Sequence, residues 1–320
     1  MYLSDWVSTD RDKYGYEPNG PTFMKITFRQ FLVEGGAATA AYNTQRANKT
    51  DIEKAIAFVC RATGIKREVI MANLLGSTSH TLLGKKADSG DVDIAFQEDK
   101  YDRDTLVERM KKATGMSDVK QIGSGTFSFA VPVSDTKRIQ VDFMFVASEQ
   151  WAKFGFHSAL DSKHKGLVRN NFLLDNVMKH TFEPGKDLRI TDKEGNDVVR
   201  VRRTFGRAEG LYRSFKAAPM RKDGKGRVQL KKVTPEQVEQ VLRELGHKST
   251  FSKDAEPILS PDQAAEFLFG KGTRAADIMS AEQVIKAIFK RKDHAAIFKD
   301  AAADFVKAGM EVPAEIAKFA

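Results

Sequence analysis

Along DVDIAF (residues 91–96) apolar and polar positions alternate, so Val92, Ile94 and Phe96 face one way and Asp91, Asp93 and Ala95 the other. That period predicts a strand. It returns in SFAVPV (128–133) and RIQVDFMFV (138–146), which are separated by Ser134-Asp135-Thr136-Lys137 and read as a hairpin. Helical spacing appears at Ile52, Ile56 and Val59, predicting a helix over 51–62 capped by Thr50 with Glu53 and stopped by Gly64. Leu106, Val107 and Met110 predict another over 102–114. Residues 23–34 read as a strand with one helical turn, 37–48 as a loop or loosely packed helix, and 1–22 as an extended arm.

Beyond Glu149 the pattern is mostly helical. Leu167, Phe172, Leu173 and Val177 are core candidates within 166–180. Segments 234–245, 260–269 and 280–290 each begin with a Ser or Thr cap and an early acid. Residues 291–309 predict one or two short helices, and 188–205 a hairpin around Glu194-Gly195-Asn196. The expectation is an α+β chain: a mixed sheet with flanking helices over 1–150, then a basic, mainly helical domain over 151–320.

Charge sharpens that division. Residues 1–150 hold 20 basic and 20 acidic side chains and residues 151–320 hold 32 and 23, so the formal charge of +9 falls on the second half. Residues 200–232 carry the densest basic run, with Phe205, Tyr212 and Phe215 interspersed. The run fits an RNA or DNA partner, with RKDGKGR (221–227) as a basic loop, and fits equally a core whose charges face water. The single cysteine, Cys60, excludes an internal disulfide and a cysteine zinc site. The N-terminal residues lack a signal-peptide pattern, and no apolar stretch is long enough to span a membrane. A cytoplasmic location is expected.

The candidate chemistry centres on carboxylates. Asp91 and Asp93 leave one side of a strand, and Asp142 sits in an apolar strand where a lone acid is costly unless it faces a metal or water. Such a set suits one or two Mg²⁺ ions, or Mn²⁺, against a nucleoside triphosphate. The Gly76-Ser77 turn lets backbone amides and a hydroxyl meet phosphate oxygens, and Lys85 and Lys86 lie close by in the chain. His157, Ser158, Lys163, His164, Lys165 and Arg169 could close over the triphosphate or form a basic linker. His80 could touch a phosphate, and Glu34 could wall a pocket beside Gly35-Gly36.

Leu75-Gly76-Ser77, then thirteen residues, then Asp91-Val92-Asp93-Ile94, then Asp142 in a later strand, resembles the DNA polymerase beta-like nucleotidyltransferase superfamily. The likeness covers roughly residues 65–146. It implies transfer of a nucleoside monophosphate from a triphosphate such as ATP to a hydroxyl, with release of pyrophosphate. It also implies that Asp91 and Asp93 bind both metals, that Asp142 completes the acceptor-activating site, and that Ser77 contacts the triphosphate. The whole chain is similar to nucleotidyltransferases of tailed bacteriophages around Glu34-Gly35-Gly36 and from His157 to Arg169, which implies a host-cell cytoplasm. A helix-hairpin-helix for gripping duplex DNA and the base-selecting motifs of tRNA end-maturing enzymes are both missing, which disfavours those two activities. Other readings are a catalytically silent nucleic-acid-binding protein and a transferase acting on a small molecule or a protein.

Overall fold

The computed structural model describes residues 39, 42–119, 121–122, 125–157, 159, 162–164, 166, 168–218 and 230–319. The readings of 1–22, 23–34, Glu34-Gly35-Gly36, Ser158, Lys165, Leu167 and the loop 221–227 fall outside these residues. The chain is mixed α and β and divides into two compact units. The first runs to Glu149 and takes in residues 157–161 and the segment from Phe298; the second is Gln150–Phe156 with Ser162–Ile297.

In the first unit, β1 (Ala47–Asn48) leads into α1 (Lys49–Thr63), α2 (Arg67–Ala72), α3 (Thr78–Leu82) and β2 (Asp88–Ser89). Then come β3 (Val92–Gln97), α4 (Arg103–Thr114), β4 (Gln121–Ile122), β5 (Thr126–Ser134) and β6 (Lys137–Val146). The cap of α1 is Asn48, not Thr50. The Asn48 side chain accepts from the Asp51 amide, and the Asp51 carboxylate accepts from the Asn48 amide, so the capping box begins two residues earlier than expected. Gly64 closes the helix at φ 77°.

The main sheet has the order β3-β6-β5-β4. β5 and β6 form the expected antiparallel hairpin, whereas β3 lies parallel to β6 on its other side. Val92, Ile94, Phe129, Val141 and Phe143 share one core with Ile52, Ile56 and Val59 of α1 and Met110 of α4. Phe143 sits edge-on to Phe96 and Phe129, at 4.7 and 5.0 Å between ring centroids. Truncating Phe143 to Ala would cost about 3–5 kcal/mol. Helices thus cover the apolar face, and the strand period sends Asp93, Asp142 and Ser128, which are register neighbours, to the other.

The second unit contains α5 (Glu149–Gly155) from Gln150 onward, a π-helical stretch (Val168–Leu174) and α6 (Asp175–His180). Phe172, Leu173 and Val177 are fully buried. β7 (Leu188–Thr191), β8 (Asp197–Gly206), β9 (Gly210–Ala217) and β10 (Lys231–Lys232) form an antiparallel sheet in the order β10-β9-β8-β7. The expected hairpin at 188–205 is therefore half of a four-stranded sheet, which accompanies the helices of this unit. α7 (Pro235–Glu244) packs Val238, Val241 and Leu242 onto Val199, Val201, Phe215 and Ala217. α8 (Pro261–Phe269) and α9 (Ala281–Phe289) follow, and α10 (His294–Lys307) belongs to the first unit from Phe298 onward. Thr234, Ser260 and Ser280 cap α7, α8 and α9 as the sequence suggested. Among the described residues no helix is long and apolar enough to cross a membrane.

Candidate metal centre

Three local features bring the acids together. Leu75 N–H donates to the Asp93 carbonyl (2.9 Å) and Ala95 N–H to the Asn73 carbonyl (2.9 Å), so the chain entering the Gly76-Ser77 turn runs antiparallel beside β3. Gly76 adopts φ +59°, and a Cβ there would lie 3.1 Å from Asp93 Oδ2. Glycine satisfies both the left-handed backbone and the close approach. Thr78, fully buried, donates its hydroxyl to the Asp91 carbonyl (3.2 Å) and ties the turn to the first acid.

On the sheet, Asp93 is the register partner of Asp142 across the parallel β3–β6 pair. Each of Asp91, Asp93 and Asp142 offers a carboxylate oxygen, and these lie within 4.8 Å of one another. Asp142 is the deepest, at 8% exposure. Its Oδ2 accepts from Gln140 Nε2 (3.0 Å), and Gln140 Oε1 accepts from the buried Thr39 hydroxyl (2.9 Å). Among the described residues none donates a hydrogen bond to Asp142 Oδ1. Ser128 stands opposite on β5 and favours the ionised carboxyl, though it is out of hydrogen-bond geometry.

The electrostatics follow from this crowding. Burial, then the neighbouring Asp91 charge, pushes Asp142 up to about 7, against the opposing pull of Ser128 and Gln140. Burial also raises Asp91, and the Arg46 charge pulls it back. Clustered carboxylates with a buried oxygen that has no protein partner are unfavourable without a compensating cation. An all-oxygen donor set of this kind could hold a hard divalent ion such as Mg²⁺ or Mn²⁺.

The other predicted groups are placed as follows. Ser77 precedes α3 but makes no cap bond; its hydroxyl shares a hydrogen bond with Ser89 Oγ (2.9 Å). Lys85 and Lys86 are exposed on the turn after α3. His80 is buried with Nδ1 unpartnered, and burial, then Lys86 and Lys85, lowers its pKa, which favours the neutral ring. In the second unit, Lys163 is exposed, its amide donating to Glu282 Oε1 (2.8 Å), and His164 Nε2 is buried without a partner.

Arg169, at 1% exposure, donates Nε to the Ile278 carbonyl (2.6 Å) and Nη1 to the Phe154 carbonyl (2.8 Å) and Asn170 Oδ1 (2.9 Å). Its guanidinium also stacks on the Phe154 ring at 4.3 Å, and burial pulls its pKa down to about 9. These contacts pin the π-helical stretch to α5 and to the turn before α9, so the expected grip on a triphosphate gains no support from them.

Arg46, Thr78 and Ser89 were not singled out by the sequence. Arg46 donates Nη2 and Nε to Asp88 Oδ1 at 2.7 and 3.0 Å and extends its field to Asp91. It arrives through the pairing of β1 with β2, residues some forty positions apart, and nothing local announces that contact. Gln140 did carry a signal: it is a polar residue two positions before Asp142 on the same strand face.

No family model matches the chain, and no curated protein matches it.

Proposed function

We propose that this chain is a metal-dependent nucleotidyltransferase of the polymerase beta-like kind. An acceptor hydroxyl oxygen would bond to the α-phosphorus of a nucleoside triphosphate while the bond from that phosphorus to pyrophosphate breaks. Asp91, Asp93 and Asp142 would hold the divalent ions, and the Gly76-Ser77 turn would meet the phosphates. When bound, Mg²⁺ or Mn²⁺ supplies positive charge to the triphosphate and eases ionisation of the acceptor hydroxyl. Gln140 fixes one oxygen of Asp142 and so leaves the other uncommitted to the protein.

The observation that carries this reading is the convergence of three carboxylates within 4.8 Å, Asp93 and Asp142 on neighbouring parallel strands and Asp91 just before the first of them, against a left-handed glycine turn. A lone Asp-x-Asp pair would be weak support. A register-paired third acid with a buried, unsatisfied oxygen is a costly arrangement that a cation relieves.

The test is incubation with each α-phosphate-labelled nucleoside triphosphate, Mg²⁺ and, separately, RNA, DNA or total protein. Label should pass to one acceptor class with release of pyrophosphate, and Asp93→Ala and Asp142→Ala should abolish it while remaining folded. Transfer unchanged in both variants would defeat the reading, as would an absence of both transfer and Mg²⁺-dependent triphosphate binding.

A further inference from the structure

The segment just ahead of α1 is tied down at both ends beside the acids. Thr44 bridges Arg138 of β6 in the parallel sense, and the Gln45 amide donates to the Arg138 carbonyl (2.9 Å). Ala47, fully buried, and Asn48 pair antiparallel with Ser89 and Asp88. One step further along that register, Arg46 stands across from Gly90, the residue before Asp91. Two short stretches thus bring a half-exposed arginine to the rim of the metal centre. Its Nε and Nη2 both donate to Asp88 Oδ1 (3.0 and 2.7 Å), which orients the guanidinium. Among the described residues Nη1 has no acceptor.

This is the nucleotide side of the centre. Ser89, next to Asp88, shares a hydrogen bond with Ser77 (2.9 Å), so the phosphate turn and the anchor of Arg46 are joined through one residue. The charge of Arg46 bears on Asp91, whereas Asp91, Ser128 and Gln140 bear on Asp142. Lys137 and Lys86 also act on Asp88, and Lys137 is matched by Asp51 at 2.6 Å. A cation beside carboxylates weakens their hold on a divalent ion and strengthens the hold on a polyanion laid against that ion. An exposed ion pair contributes little to stability, and buried Ala47 anchors the segment, so fold alone gives Arg46 little reason to stand there. A planar fork already oriented by one carboxylate suits phosphate oxygens.

We propose that Arg46 is a substrate-contacting residue of this centre, its guanidinium binding the terminal phosphates of a nucleoside triphosphate while Asp88 holds it in place. Arg46 has this role only if the site takes a triphosphate, as the transferase reading holds; it would then be the residue that separates a triphosphate from a monophosphate.

The test titrates the full chain by calorimetry with Mn²⁺ alone and then, in Mg²⁺, with each common nucleoside triphosphate and its monophosphate. Arg46→Ala should weaken triphosphate binding by about tenfold or more and monophosphate binding much less. Its affinity for Mn²⁺ alone should be unchanged or tighter, a sign that loss of a merely structural residue would not give. Arg46→Lys, which keeps the charge without the fork, should fall between. Triphosphate binding in Arg46→Ala equal to the parent's, equal losses for triphosphate and monophosphate, or a loss of Mn²⁺ affinity in step with the nucleotide would overturn the assignment of Arg46 alone. A parent chain that binds Mn²⁺ but no triphosphate would overturn the transferase reading with it. Arg46-dependent triphosphate binding without transfer would uphold Arg46 and defeat the transfer.

Discussion

Asp93 and Asp142 face each other as register partners on parallel strands, two carboxylates side by side on the polar face of the main sheet. Asp91 joins them from just before β3, with oxygens from all three within 4.8 Å. Directly opposed like charges destabilise a sheet pair, and burial raises the cost. The fold tolerates that cost at a position where a divalent ion would repay it.

Removing the deepest charge should therefore stabilise the metal-free protein. Asp142→Asn is expected to raise the melting temperature in chelator by a few degrees, equivalent to about 1–3 kcal/mol, and to lack the further rise expected of the parent chain in Mg²⁺. Thermal unfolding of both proteins with and without Mg²⁺ checks this.

The pH dependence has a definite sign. In the folded chain Asp142 holds its proton up to about 7, above the ordinary value of 3.8. The folded state thus binds more protons than the unfolded state between those values, and this group's contribution to stability falls as pH rises through the window. Denaturant melts in chelator should show that decline. Added Mg²⁺ should stabilise more at pH 8 than at pH 5, because a protonated carboxyl must lose its proton to bind.

Much of the site is legible in the sequence, and the reasons are local. Strand alternation separates Asp91 and Asp93 from Val92, Ile94 and Phe96, and an acid between Val141 and Phe143 stands out against its strand. The parallel contact of β3 with β6 is another matter, since it joins segments nearly fifty residues apart and no local pattern announces it. The β1–β2 pairing that delivers Arg46 is hidden for the same reason. In the second unit β9 escaped notice because its inward positions read Leu211, Arg213, Phe215 and Ala217. The buried Arg213 breaks the apolar alternation, and its partners Glu183 and Asp187 lie in another segment.

Gln140→Met keeps most of the side-chain volume but removes the donor to Asp142 Oδ2 and strands the Thr39 hydroxyl. We expect a loss of about 1–3 kcal/mol in stability and a drop of about 10- to 100-fold in metal affinity. Mn²⁺ titration of the folded variant gives the affinity, and chemical denaturation gives the stability.

Gly76→Ala would place a methyl group 3.1 Å from Asp93 Oδ2 at φ +59°. The left-handed backbone alone should cost about 1 kcal/mol, and displacement of Asp93 should weaken Mg²⁺ binding further. Calorimetric titration against the parent chain reads the second effect directly.

Arg213→Ala is the contrasting case. It leaves Asp187 without its buried arginine, while Glu183 keeps Arg203, and should destabilise by about 3–5 kcal/mol. Metal affinity in the folded fraction should be unchanged, as followed by Mn²⁺ titration below the unfolding transition.

The central claim is that these three aspartates form a divalent-ion centre, and anomalous diffraction from crystals soaked in Mn²⁺ tests it most directly. The account predicts a peak coordinated by oxygens of Asp91, Asp93 and Asp142 that vanishes in Asp142→Asn. Saturating Mn²⁺ with no peak among those carboxylates, or a peak that persists unchanged in the variant, would contradict it.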